Sequence, residues 1–236
     1  MPSRTAAHVR LHNSLTATAE KRLLVWIARR LPRTVTSDFL SGLGLTAMAA
    51  AGLSFAALRW TPWAAAAIVA ALVVNWFGDS LDGTVARVRH QERPRFGYYV
   101  DHIIDVAGTG MLMTGLAWSG LMHPTLALAV LAGYLLVSAE SYLATHASGV
   151  FRMSHFGFGP TELRILLAIG AIKTASSPWI ELPSGHIVRL FDIGGAVALA
   201  GMLTAFTTAA IRNTQTLHRE EPLPRLVQPA AQKRVA

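Results

Sequence analysis

The sequence predicts an all-α, polytopic membrane protein, with six transmembrane helices preceded by an amphipathic interfacial helix. Three observations carry that expectation. Of 236 residues, 52% are hydrophobic and only 14% charged, whereas soluble domains carry about a quarter charged residues. Mean hydropathy is positive, at +0.40. The apolar residues also fall in blocks of about 20 with few or no charges, the length that crosses the hydrocarbon core of a bilayer. A soluble globular protein, a disordered chain and a fibrous repeat are excluded by the same pattern.

The elements follow in order. Residues 1–37 form a cytosolic N-terminal segment in which 14–31 read as a helix lying on the membrane. Leu15, Ala19, Leu23, Trp26 and Ile27 form an apolar stripe at helical spacing, with Lys21, Arg22 and Arg29 opposite, as in an interfacial helix on anionic lipid. The alternative is an ordinary basic juxtamembrane tail. Charges at Glu20, Lys21, Arg22, Arg29 and Arg30 interrupt the stretch, so it is not read as a signal peptide. Residues 38–213 hold the six spans, expected at 39–58, 64–86, 98–119, 124–146, 161–176 and 188–211. Pro62, Pro94, Pro124, Pro160 and Pro178 fall in or near the connections, where a missing backbone donor does least harm. Asp38 and Asp192 are expected to cap the first and last spans. Residues 214–236 are polar, contain Pro222, Pro224 and Pro229, and read as a disordered tail.

Charge gives the orientation. Of the 21 Lys and Arg residues, 18 fall on the N-terminal side and only Arg59, Lys173 and Arg189 on the other. The positive-inside rule therefore places both termini in the cytoplasm, in a multi-pass protein of the cell inner membrane. The net charge of +8 is spread along the termini and membrane-flanking loops, so no nucleic-acid partner is expected. Cysteine is absent, which excludes a disulfide framework and thiol chemistry.

Two spans break the apolar rule in a patterned way. Asp79 and Asp82 end the second span, and Asp101 and Asp105 begin the third. Intramembrane carboxylates are costly and point to function. Asp79, Asp82 and Ala86 share one helical face, as do Gly97, Asp101 and Asp105. A short basic loop joins the spans, so they are expected to pack antiparallel with these faces opposed, in the cytosolic half of the bilayer. Four carboxylates brought together repel unless countered, and two hard divalent cations, Mg²⁺ or Mn²⁺, would balance them. Gly83, Ala86 and Gly97 leave room for a ligand to approach the backbone, and Arg87 offers a fork for a phosphate oxygen.

The string Asp79-x-x-Asp82-Gly83-x-x-Ala86-Arg87, a spacer, then Gly97-x-x-x-Asp101-x-x-x-Asp105 resembles the signature of the CDP-alcohol phosphotransferases. Nine residues separate Arg87 from Gly97, one more than in the commonest form. The insertion falls in the loop and leaves both helical faces intact. The resemblance implies an enzyme of phospholipid biosynthesis that passes a substituted phosphate group from a CDP-linked lipid donor, often CDP-diacylglycerol, to an alcohol acceptor, releasing CMP. It implies that Asp79, Asp82 and Asp101 ligate a first metal, with Asp79 and Asp101 bridging to a second. Asp105 would be the general base, within reach of the second ion. Gly83, Ala86, Arg87 and Gly97 would contact the CDP donor. A homodimer is implied by the resemblance alone.

The acceptor is less legible. Glu140 and Glu162 would suit an amine-bearing head group, and Gly159-Pro160-Thr161-Glu162 is similar to a stretch in choline and ethanolamine phosphotransferases, whose donors are CDP-amino alcohols. Glu162 also sits where an acidic residue favours the helix dipole. Arg152 and Arg164 would instead suit a phosphorylated acceptor. His90, His102, His146 and His155 show no ligand spacing. Two competing readings are a divalent-cation transporter and a catalytically dead scaffold. The acidic residues lie near one face rather than midplane, without repeats or broken helices, which speaks against the first. All four aspartates and Arg87 are present, which speaks against the second.

Overall fold

The computed structural model describes residues 17–148 and 160–223. Within them the chain forms seven helices and one short hairpin. Helix α1 spans Ala17–Arg30, and Leu15 of the expected stripe lies outside the described residues. The stripe itself divides. Leu24 and Ala28 are buried with Leu81 and Val85 of the second span, Ile27 and Leu31 are partly so, while Leu23 and Trp26 stay exposed. The helix therefore has two apolar edges, because Leu24, Ala28 and Leu31 recur at i, i+4 and i+7 and form a row of their own.

Helix α2 spans Ser37–Ala57 and is capped by Thr36, whose hydroxyl accepts the Phe39 N–H at 3.1 Å. Asp38, the expected cap, instead lies in the first turn and pairs with Arg93. Helix α3 spans Ala64–Val88, and His90 just beyond it has a left-handed φ of 54°. Helix α4 covers Pro94–Ser119. It starts before the expected 98 because Pro94 fits the first helical turn, where no backbone donor is needed. Gly120, at φ 76°, ends it, a left-handed position that glycine fills without strain.

Helices α5 (Pro124–Ser148) and α6 (Pro160–Ser176) follow. A hairpin of β1 (Trp179–Glu181) and β2 (Ile187–Arg189) then sets Trp179 opposite Arg189 and Glu181 opposite Ile187. The hairpin takes up residues 188–189, so the last helix, α7, begins at Leu190. It continues to Glu220, past the boundary at 214 where a disordered tail was expected. Its last turns hold Leu217 and Arg219, good helix formers, and no proline comes before Pro222. Residues 224–236 lie outside the described residues.

The six helices α2–α7 cover the six stretches where spans were expected, and among the described residues four of them, α2, α3, α5 and α7, are long and apolar enough to cross a membrane. Helix α4 carries Asp101, His102 and Asp105 in its first half, and α6 has only 17 residues. The protein is an all-α, polytopic integral membrane protein. Helix α2 stands at the centre, packed on both α3 and α4. Two glycine contacts allow this closeness. A Cβ on Gly78 would lie 2.6 Å from the Leu40 carbonyl oxygen, and one on Gly115 only 2.0 Å from that of Gly52. Such backbone-to-backbone approach is how membrane helices gain packing energy without a hydrophobic drive. At the end of the bundle bearing the hairpin, Trp60, Trp63, Trp118 and Trp179 are all exposed, the aromatic girdle of a membrane interface. The opposite end carries the aspartates and is called the motif end below.

Candidate active site

The site is built on four helices rather than two. Asp79 and Asp82 come from α3, Asp101 and Asp105 from α4. The expected direct packing of these spans is not what is observed. Each packs chiefly on α2, which holds the two acidic faces near one another without pressing them together. The physical reason lies in the glycines, which let α2 nest against both neighbours. The four carboxylates remain within electrostatic reach: Asp82 feels Asp79 and Asp101, and Asp105 feels Asp79, Asp101 and Asp82.

Each α3 carboxylate has protein donors. Ser41 of α2 gives its hydroxyl proton to Asp82 Oδ2 at 2.6 Å, and the Gly83 N–H meets Asp82 Oδ1 at 2.5 Å. Arg164 of α6 donates through Nη2 to Asp79 Oδ2 at 2.5 Å and through Nε to Asn75 Oδ1 at 2.7 Å. The buried Asn75 in turn donates to the Gly44 carbonyl at 3.0 Å. Asn75 thus joins α2, α3 and α6 one turn from Asp79.

The other expected residues fall as follows. Arg87 bends back along α3, its Nη2 donating to Thr84 Oγ1 at 3.1 Å. A Cβ on Gly83 would come 3.3 Å from Arg87 Nη1, while one on Gly97 would meet nothing within 4 Å. Ala86 lies half-buried on the same helix. Glu140 of α5 accepts from Asn213 Nδ2 of α7 at 2.6 Å, which ties those two helices. Glu162 lies in the first turn of α6, two residues before Arg164. Arg152, like His155, lies outside the described residues. His102 is a packed residue, its Nδ1 2.7 Å from the Tyr98 carbonyl oxygen and its ring against Tyr98 and Tyr142.

Among the described residues no three acidic or histidine side chains close into a ready metal cage. The donor set nevertheless fits hard divalent cations. It is all carboxylate oxygen, and the Arg164 guanidinium already on Asp79 brings one positive charge to a cluster of four acids. Two contributors were not anticipated. Asn75 had a signal, as an amide four residues before Asp79 in an apolar span. Ser41 had none, since a single serine in a span is ordinary.

Across residues 35–210 the chain matches the family model described as CDP-alcohol phosphatidyltransferase. The chain belongs to that family. It is therefore a transferase of substituted phosphate groups, which removes the cation-transporter alternative. Two crystal structures of phosphatidylinositol phosphate synthase from Mycobacterium tuberculosis share its fold. One, described with CDP-DAG bound, has a TM-score of 0.52 and 24% identity over 89% of this chain and 99% of that one. The other, in complex with manganese and citrate, has a TM-score of 0.51 and 25% identity over 88% and 93%. No curated protein matches the chain. Within this CDP-alcohol phosphatidyltransferase, the residues carrying the family string lie at the motif end, on α3 and α4.

Proposed function

We propose that this phosphatidyltransferase takes CDP-diacylglycerol as donor and a phosphorylated alcohol as acceptor. The observation that carries the reading is the set of aspartates from α3 and α4, held within reach of one another by α2. Asp79, Asp82, Asp101 and Asp105 would hold two divalent cations, Mg²⁺ or Mn²⁺. When bound, such ions supply positive charge that offsets the charge developing on the transferred phosphoryl oxygens. Gly83, Ala86, Arg87 and Gly97 bind the CDP part of the donor. Arg87 does so by releasing Thr84 and turning its guanidinium to a phosphate oxygen. Asp105 accepts the proton of the acceptor hydroxyl. The acceptor oxygen then bonds to the phosphorus carrying diacylglycerol, and the bond from that phosphorus to CMP breaks. The CDP-DAG of the neighbouring synthase supports the donor, and its manganese supports the metal.

Of the acceptor candidates, Arg164 touches a motif aspartate directly. A guanidinium there favours a phosphate-bearing acceptor over an amine. Glu140 serves the α5–α7 seam instead, and Glu162 stands in the first turn of α6, two residues before Arg164. The catalytic unit is the body from 38 to 213, the motif end faces the cytoplasm, and the protein works as a homodimer.

Purified protein given Mg²⁺, CDP-diacylglycerol and a panel of alcohols should release CMP, fastest with phosphorylated ones. No CMP from any acceptor would overturn the reading, and a preference for amino alcohols would overturn its acceptor. Calorimetry on Asp79→Asn should show lost donor binding, whereas Asp105→Asn should keep much of it. Reporters fused at the C-terminus and in the 89–93 loop should both read cytoplasm, and the mass of the solubilised protein checks the dimer.

A further inference from the structure

Glu20 lies outside the family string and outside the reacting groups. It is the only acidic residue before Asp38, in a segment with seven Lys and Arg. Its carboxylate turns inward. One oxygen accepts both the Trp76 Nε1–H at 2.8 Å and the Thr161 hydroxyl at 3.2 Å. A single atom of α1 therefore ties α3 to α6. Trp76 lies three residues before Asp79, and Thr161 lies three before Arg164, so this clasp sits one helical turn from the Arg164–Asp79 pair.

Among the described residues, deep burial does little to fix the motif half of α6. Its buried residues, Gly170, Ala171 and Thr174, all belong to the hairpin half. Leu163, Ile165 and Leu166 are exposed at 47%, 52% and 55%. The seam between α3 and α6 is open there, a groove of about 210 Å³ lined by Leu72, Val73, Trp76, Ile165 and Ala168. Among the described residues, polar bonds from Thr161 and Arg164 help set the register of α6 on its neighbours at this end.

We propose that Glu20 is a positioning residue of the transfer reaction: its clasp on Trp76 and Thr161 fixes α6 so that Arg164 stays on Asp79. This rests on the reading of Arg164 and Asp79 as parts of the reacting site. It also gives α1 a function beyond membrane attachment.

The test uses the full chain. Glu20→Ala removes the shared acceptor and should lower kcat/KM about tenfold, the order expected for hydrogen bonds to a charged group. Glu20→Gln keeps an accepting oxygen and should restore most of the rate. A double-mutant cycle with Arg164→Ala should be sub-additive, because both changes act on one arrangement. A purely structural role would give additive losses. The chain has no cysteine, so spin labels at Leu53→Cys on α2 and Leu163→Cys on α6 can report the position of α6. Their distance distribution should broaden in Glu20→Ala and narrow again in Glu20→Gln. An unchanged distribution in Glu20→Ala, or additive losses in the cycle, would overturn the proposal. If the parent protein releases no CMP, the functional reading fails instead, and the label distances still judge the clasp.

Discussion

Helices α2 and α3 differ from α5 and α7 in how they spend their apolar surface. Of the apolar windows of α2 and α3, 33% and 39% are buried, against 17% for both α5 and α7. Helix α2 closes on α3 at Gly44 and Gly78 and on α4 at Gly52 and Gly115, glycine against backbone. The second pair meets through flexible side chains, such as Leu199 and Met202 against Gly133, with Glu140 and Asn213 bonded across it. The contrast teaches where precision is needed. Four carboxylates must hold their spacing on α3 and α4, and backbone contact is less compressible than a layer of Met and Leu. The α5–α7 face can adapt to lipid.

The comparison can be broken in order of expected effect. Excess chelator should abolish turnover and Mg²⁺ or Mn²⁺ restore it, as CMP release would record. Persistent turnover would separate the rigid half from metal chemistry altogether. Asp105→Asn should cost about 10²–10⁴ in kcat, the usual loss of a general base, and near-normal kcat would cancel its role. Gly115→Ala forces a Cβ against the Gly52 carbonyl and should destabilise by about 1–3 kcal/mol, read as a lower thermal midpoint in detergent. In α5, Leu128→Ala on the exposed face should move the same midpoint by less than about 0.5 kcal/mol equivalent. Equal shifts from these two variants would erase the distinction between the halves.

Much of this was legible from residues alone. Six apolar blocks gave six helices in place, because blocks of that length have few other ways to satisfy backbone groups in lipid. The family string located the aspartates on α3 and α4 for the same reason: helical spacing is rigid. What was not legible depended on contacts between distant elements. Nothing in Ser41 announces Asp82, and the intervening position of α2 arises from glycines whose partners a linear pattern does not identify. Thr36 rather than Asp38 caps α2 because Arg93, far along the chain, claims the carboxylate. The hairpin was missed because three-residue strands leave almost no periodicity.

The Asp192 carboxylate has its own consequence. It was expected to cap its own helix, but Arg189 holds that position, and Asp192 Oδ1 instead accepts the His123 N–H at 2.6 Å. That backbone donor stands at the entrance to α5, 69 residues earlier. During synthesis water answers the leading amide of α5 first, because the position is exposed, and its protein partner arrives only when the first turn of α7 leaves the ribosome. At about 5–20 residues per second the delay is several seconds. A chain cut short before Asp192 would leave that half open at its start. Helix α7, made after α5, is the latch of the bundle's outer half.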